Sequence, residues 1–238
     1  MIVRSKEFAA GLLAMCAFAL SPAAAIAEHN AAYLRELQSR AVAEKLDKDP
    51  YWLLLGHYRP TAFGGMKSEV DAPAFFLSRK GKIDPASELQ ATIASFFDPP
   101  TADQNAAQCR LPARYAWLKE RLAFDASRLI EQPCTTLEAW LAEVNAGSAT
   151  LVFASAFPEA PASMYGHTLL RLDRRGEQAG NDLLSTIINY AAYPWTTFPP
   201  IYIYMGLTGG FEGRFSAMPY FFQVHRYSNM ESSDLWEY

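Results

Sequence analysis

In this 238-residue sequence, His167 is the residue whose type and setting best fit chemistry. It stands in Pro161-Ala162-Ser163-Met164-Tyr165-Gly166-His167-Thr168-Leu169-Leu170-Arg171, where a turn of small residues delivers a histidine to the first position of a β-type run. A general base must be held by rigid structure yet remain reachable, and the mouth of a strand provides both. The plainer alternative is a structural histidine that caps the strand end, and composition alone favours it.

A nucleophile for such a base is harder to find. The chain has three cysteines. Cys16 falls in an apolar leader, where bulky Met15 precedes it and argues against lipidation. Cys109 and Cys134 remain, and two cysteines in an oxidising compartment pair. A loop of that span stabilises a fold by about 3.5 kcal/mol in the chain-entropy account. The alternative makes one of them a thiol nucleophile with His167 as its base. Ser163, in the turn before His167, is a further candidate.

The other histidines carry less. His29 sits near the expected mature N-terminus, where disorder is expected. His57 lies in the helical half as a packing residue, and His225 stands between aromatic runs. The sequence has no HExxH, paired CxxC or clustered carboxylate set, so no metal site and no cofactor is expected. Gly206-Leu207-Thr208-Gly209-Gly210-Phe211-Glu212-Gly213-Arg214 is glycine-rich but lacks the lysine and hydroxyl of a phosphate loop. It reads as a tight connection between strands or as a mobile flap beside a cleft.

The N-terminus directs the chain out of the cytoplasm. Arg4 and Lys6 precede the apolar run Phe8 to Leu20, and Ala25-Ile26-Ala27 offers a small-x-small cleavage site before Glu28. That is the layout of a secretory signal peptide. Its apolar run falls short of the roughly 20 residues that a spanning helix needs, so removal is expected and a soluble, periplasmic chain follows. The formal net charge is −4, and losing Arg4, Lys6 and Glu7 leaves the remainder slightly more acidic. Scattered basic residues on such a chain give no footprint for nucleic acid and no polybasic anchor for anionic lipid.

Two differently built halves must position these residues. Over 30–145 the spacing predicts helices. Asn30 caps a first helix bearing Leu34, Leu37 and Ala41. Asp84-Pro85 opens a second with Leu89, Ile93, Phe96 and Phe97, which Pro99-Pro100 ends. Leu111, Tyr115, Leu118 and Leu122 form a third stripe. Thr135 and Glu138 make a capping box ahead of Leu137, Trp140, Leu141 and Val144, with Gly147 as the stop. All these stripes read as core packing. Past Gly147 the pattern turns to strands at Thr150 to Phe157, His167 to Leu172, Leu183 to Tyr190, Ile201 to Tyr204 and Tyr220 to Tyr227. The boundary is expected between Asn145 and Ser148.

The stretch from Ser148-Ala149-Thr150-Leu151-Val152-Phe153 through Ser163-Met164-Tyr165-Gly166-His167-Thr168-Leu169-Leu170-Arg171 resembles the Lnb N-terminal periplasmic domain family, long described as a domain of unknown function. Asn189-Tyr190-Ala191-Ala192, Gly206 to Gly210, Phe215-Ser216-Ala217-Met218-Pro219-Tyr220 and Asp234-Leu235-Trp236-Glu237-Tyr238 resemble its later blocks in order. Phe75-Phe76-Leu77-Ser78 and Cys109-Arg110-Leu111-Pro112-Ala113-Arg114 look like the helical region that precedes the domain.

The chain is therefore expected to be α+β, with a signal peptide over 1–27 and a helical region over 28–146, and the resemblance implies a partial, circularly permuted papain-like domain over 147–238. The family's best understood type is a lipoprotein N-acyltransferase. It moves an acyl chain from a phospholipid to the amino group of a lipoprotein N-terminus. By resemblance, His167 is the base for a thiol that carries the acyl group as a thioester. Asn189 closes the neighbouring strand and is placed to orient the imidazole, as third members of thiol triads do, or to satisfy a strand end. The family's cysteine follows in an Asn-Cys block beyond Trp236-Glu237-Tyr238. Nothing after Cys134 is a cysteine, so a truncated and inactive piece is expected, peripheral to the membrane at most. Two other readings stay open: a thiol hydrolase using Cys109 or Cys134, and a non-enzymatic envelope binding module.

Overall fold

The computed structural model describes residues 22–99, 106–156, 166–176, 181–230 and 233–238. The leader with Cys16 (residues 1–21) and the turn residues Ser163, Met164 and Tyr165 lie outside the described residues. Helices fill the first part of the chain and an antiparallel sheet the last, which makes the fold α+β.

The helical part begins with α1 (Pro22–Ala43), α2 (Pro50–Leu55) and a small hairpin of β1 (Tyr58–Pro60) and β2 (Met66–Ser68). It continues with α3 (Pro85–Ser95), α4 (Ala107–Arg110), α5 (Pro112–Arg121) and α6 (Thr135–Val144). Prolines open α2, α3 and α5, where a missing N–H costs nothing. The cap expected at Asp84 is present: its carboxylate accepts from the Ser87 N–H at 3.0 Å. Leu37, Ala41, Trp52, Leu89, Ile93, Leu118 and Leu122 meet in one buried cluster, as the stripes predict.

A second feature of this core was not expected. Glu88 on α3 and Arg114 on α5 form a fully buried ion pair at 2.6 Å. The Glu88 carboxylate also accepts from the Leu77 and Ser78 N–H groups at 3.1 and 2.9 Å. The Arg114 guanidinium lies 4.4 Å from the Phe75 ring centre. One carboxylate therefore ties Phe75-Phe76-Leu77-Ser78 to the helix that follows Cys109.

Several local expectations are corrected. The first helix starts at Pro22, upstream of Asn30, and runs through the expected cleavage point after Ala27. His29 is helical and exposed, so the expected disorder is not observed. Helix α3 ends at Ser95, ahead of Pro99. On α6 the N-cap is Cys134, so Thr135 is the first helical residue and Glu138 stands one position too late for a capping box. Asn145, in the left-handed region at φ 44°, ends that helix, and Gly147 belongs to the following strand. The α6 stripe is not core: Trp140 and Leu141 are exposed, and Val144 is its buried member.

Cys109 and Cys134 form a disulfide between α4 and the N-cap of α6. Protein produced in an oxidising compartment and alkylated without reductant should show neither cysteine modified in intact-mass measurement. Two alkylated thiols would reopen both as nucleophiles.

The sheet has the order β6-β5-β4-β3-β7 and is antiparallel throughout. Its strands are β3 (Ala146–Ala154), β4 (His167–Arg174), β5 (Thr186–Tyr193), β6 (Glu212–Pro219) and β7 (Leu235–Glu237). Between β5 and β6 lies α7 (Pro199–Thr208), and after β6 come α8 (Tyr220–Val224) and a π-helical turn, His225–Met230. The expected strands at Ile201 to Tyr204 and Tyr220 to Tyr227 are therefore helical. Pro199 and Pro200 pre-set the first turn of α7 and Gly209, at φ 67°, caps its end, so local punctuation overrides the β-branched and aromatic composition. The glycine-rich stretch thus joins a helix to a strand.

Strand alternation gives the sheet two faces. Val152, Ala154, Leu169 and Ile187 point to one and are covered by Tyr220 and Tyr227. Leu151, Leu170, Tyr190, Phe215 and Trp236 stand exposed, out of that core.

Candidate active site

His167 enters the sheet from Gly166, whose φ of 79° suits glycine. A Cβ there would lie 2.7 Å from the Ala154 carbonyl oxygen and 2.6 Å from the Phe153 ring. The glycine of the small-residue turn therefore lets the chain fold closely over β3 and enter β4 at His167. Opposite His167 on β3 is Ala154, a small residue that leaves the imidazole room.

On β5 the register pairs Leu170 with Ile188 and Leu172 with Thr186. Continued by one residue, it sets Asn189 opposite Leu169, so Asn189 is the diagonal same-face neighbour of His167. Their side chains meet: His167 Nε2 and Asn189 Oδ1 are 2.5 Å apart. An amide oxygen only accepts, so Nε2 donates, and Nδ1 is the ring nitrogen turned away from the amide. Asn189 is 8% exposed, and its Nδ2 donates to Ser216 Oγ on β6 at 3.5 Å. The Tyr227 ring lies nearly parallel to the imidazole, with centres 6.5 Å apart. His167 itself is half-buried. The arrangement is an imidazole oriented through Nε2 by an amide.

Farther along the same face, Arg171 is buried and heavily partnered. Its Nε donates to Asp173 at 2.6 Å, and its Nη1 reaches across β3 to Glu237 on β7 at 2.5 Å. It also packs over the Tyr220 ring at 5.0 Å. Burial alone would raise the Asp173 pKa, but hydrogen bonds from Thr150 and Arg171 outweigh it and hold the carboxyl below its usual value. These contacts fasten β7 and α8 to the sheet that carries His167. The sequence signal for them was a charged pair, Arg171 and Asp173, at alternate positions of the strand, flanking Leu172.

The remaining candidates separate from this site. Cys109 and Cys134 are paired with each other in the helical part and offer no thiolate. His57 is exposed in a left-handed turn, with ring centres 6.1 Å from Phe75 and 6.3 Å from Phe215. It thus spans the hairpin region and the outer edge strand. His225 follows α8 and is exposed. A cavity of about 610 Å³ opens beside His29, Asp98, Arg128 and Gln132, but all of its walls come from the helical part, so it does not serve His167. Among the described residues no group of three or more His, Cys, Asp or Glu is arranged to hold a metal ion. No helix among them is long and apolar enough to cross a membrane.

Comparison with known families gives two matches. The Lnb N-terminal periplasmic domain matches residues 136–238, and a domain of unknown function, DUF7843, matches residues 44–121. No curated protein and no solved structure matches the chain.

Proposed function

Because residues 136–238 belong to the Lnb N-terminal periplasmic domain family, we propose that this chain is the base-bearing part of an exported thiol acyltransferase. The observation that carries the reading is the His167–Asn189 hydrogen bond. In acyl transfer, His167 Nδ1 takes the proton from a thiol as that thiol attacks an ester carbonyl. The acyl group passes to sulfur as a thioester, and the alcohol of the donor leaves with a proton from the imidazolium. A primary amine then attacks the thioester, an amide forms, and the thiol is restored. Asn189 holds the ring throughout and stabilises the imidazolium through Oδ1. The donor is a phospholipid and the acceptor the amino group of a lipoprotein N-terminus.

The thiol is neither Cys109 nor Cys134, since each is the other's disulfide partner. In this reading it comes from an Asn-Cys block C-terminal to Tyr238, and the leader 1–27 directs export to the periplasm. Purified residues 28–238 should therefore give no acyl transfer from phospholipid to a diacylglyceryl-cysteine peptide. Turnover by these residues alone would overturn the assignment and move the nucleophile into the chain, with Ser163 the first candidate.

A further inference from the structure

We propose that Ser216 is a positioning residue, holding the Asn189 amide in the one orientation that serves His167 both before and after it takes up a proton. Such a role rests on the reading of His167 as a base and deepens it.

Asn189 carries one amide oxygen and two amide protons into a nearly closed place. It is 8% exposed, and its Oδ1 meets His167 Nε2. The same-face neighbours that the register gives it are otherwise apolar: Leu169 across on β4, Ile187 two residues earlier on β5, and Met218 on the diagonal of β6. Directly opposite on β6 stands Ser216, and Asn189 Nδ2 donates to its Oγ at 3.5 Å. His167, Asn189 and Ser216 thus form a row across three adjacent strands, on the face that carries Leu169 and Ile187.

Proton transfer makes the orientation of the amide matter. The terminal torsion of asparagine is close to two-fold, so its oxygen and nitrogen exchange places readily unless each has a partner. A neutral imidazole tolerates either arrangement, because one ring nitrogen donates and the other accepts. An imidazolium does not. Both of its nitrogens donate, and an amide NH2 turned toward Nε2 would set proton against proton. A hydroxyl at 216 could donate to a reversed amide, but only the observed orientation satisfies all three residues once His167 is charged. An apolar residue at 216 would leave the Asn189 N–H without its acceptor in a nearly closed site.

In the intact protein, Ser216→Ala should lower kcat for acyl transfer about ten- to a hundredfold, the scale of a misplaced catalytic group. KM should stay unchanged, because Ser216 acts through Asn189. Ser216→Thr keeps the hydroxyl and should restore most of the rate. The deciding comparison is a double-mutant cycle: on an Asn189→Ala background, Ser216→Ala should cost nothing further in kcat. A serine that only stabilises the fold gives a lower melting temperature with parental kcat per folded molecule. That result, or losses that add in full in the double variant, overturns the proposal. Proton exchange at His167 Nε2, followed by NMR on protein labelled with 15N-histidine, reads the same contact without turnover. Ser216→Ala should speed it about tenfold, since the bond loses its fixed acceptor, and unchanged exchange also overturns the proposal. Parental kcat in Asn189→Ala, or no acyl transfer by the intact protein, counts instead against the acyl-transfer reading. The exchange rate then still decides whether Ser216 holds the amide.

Discussion

His167→Ala in the intact protein should lower acyl transfer about 100- to 10,000-fold, the range that general-base assistance supplies, while leaving the fold nearly whole. The imidazole is half-buried, with the Tyr227 ring centre 6.5 Å from its own. Its removal leaves the Asn189 amide oxygen without its partner, which costs about 1 kcal/mol. In a chain of this size that corresponds to a drop of about 2–4 °C in melting temperature. A structural histidine would give the opposite balance, a larger thermal shift with near-normal activity per folded molecule. The measurement is therefore paired, with melting temperature and acyl transfer taken on one preparation. Near-parental specific activity in His167→Ala would end the catalytic reading.

The largest effect on stability is expected far from His167. Arg114→Ala should destabilise the protein by about 3–5 kcal/mol, because it leaves the Glu88 carboxylate buried without its cation. It also empties the space beside Phe75 and Trp52, over which the guanidinium now lies. A fall of about 10 °C or more in melting temperature follows. Glu88→Gln with Arg114→Met should recover much of the loss. Glutamine still accepts from the Leu77 and Ser78 N–H groups, methionine fills volume, and no buried charge remains. A thermal midpoint unchanged in Arg114→Ala would show that the pair contributes nothing net.

Part of this was legible in the sequence because the signals were local. The Asp84-Pro85 cap, the Leu118 and Leu122 stripe, the glycine before His167 and the change from helical to strand spacing near Asn145 each depend on neighbouring residues. The family resemblance was legible for the same reason, as an ordered series of short blocks, those after Gly147 falling within the match over 136–238. The Cys109–Cys134 pairing was accessible by count and compartment. Where the reading failed, two local rules competed. Ile201 to Tyr204 has the composition of a strand, but the prolines before it and Gly209 after it make a helix. Trp140 and Leu141 keep helical spacing, yet that spacing cannot say whether anything packs against them, and they are exposed.

The sequence by itself determined the order of a helical part before a sheet and the position of His167 at a strand mouth; it favoured the disulfide and, beside the family resemblance, made Asn189 a candidate. Only the tertiary structure decided which nitrogen of His167 meets Asn189, because that depends on a side-chain contact between residues 22 positions apart in the chain. It alone joined Glu88 to Arg114 and Arg171 to Glu237, since each pair forms when two elements are brought together. It alone left Ile203, Tyr204 and Leu207 exposed while burying Ile187 and Phe211 of the same uncharged run. Periodicity and composition record what a residue prefers beside its neighbours in sequence; burial and partners are set by what the fold places across from it.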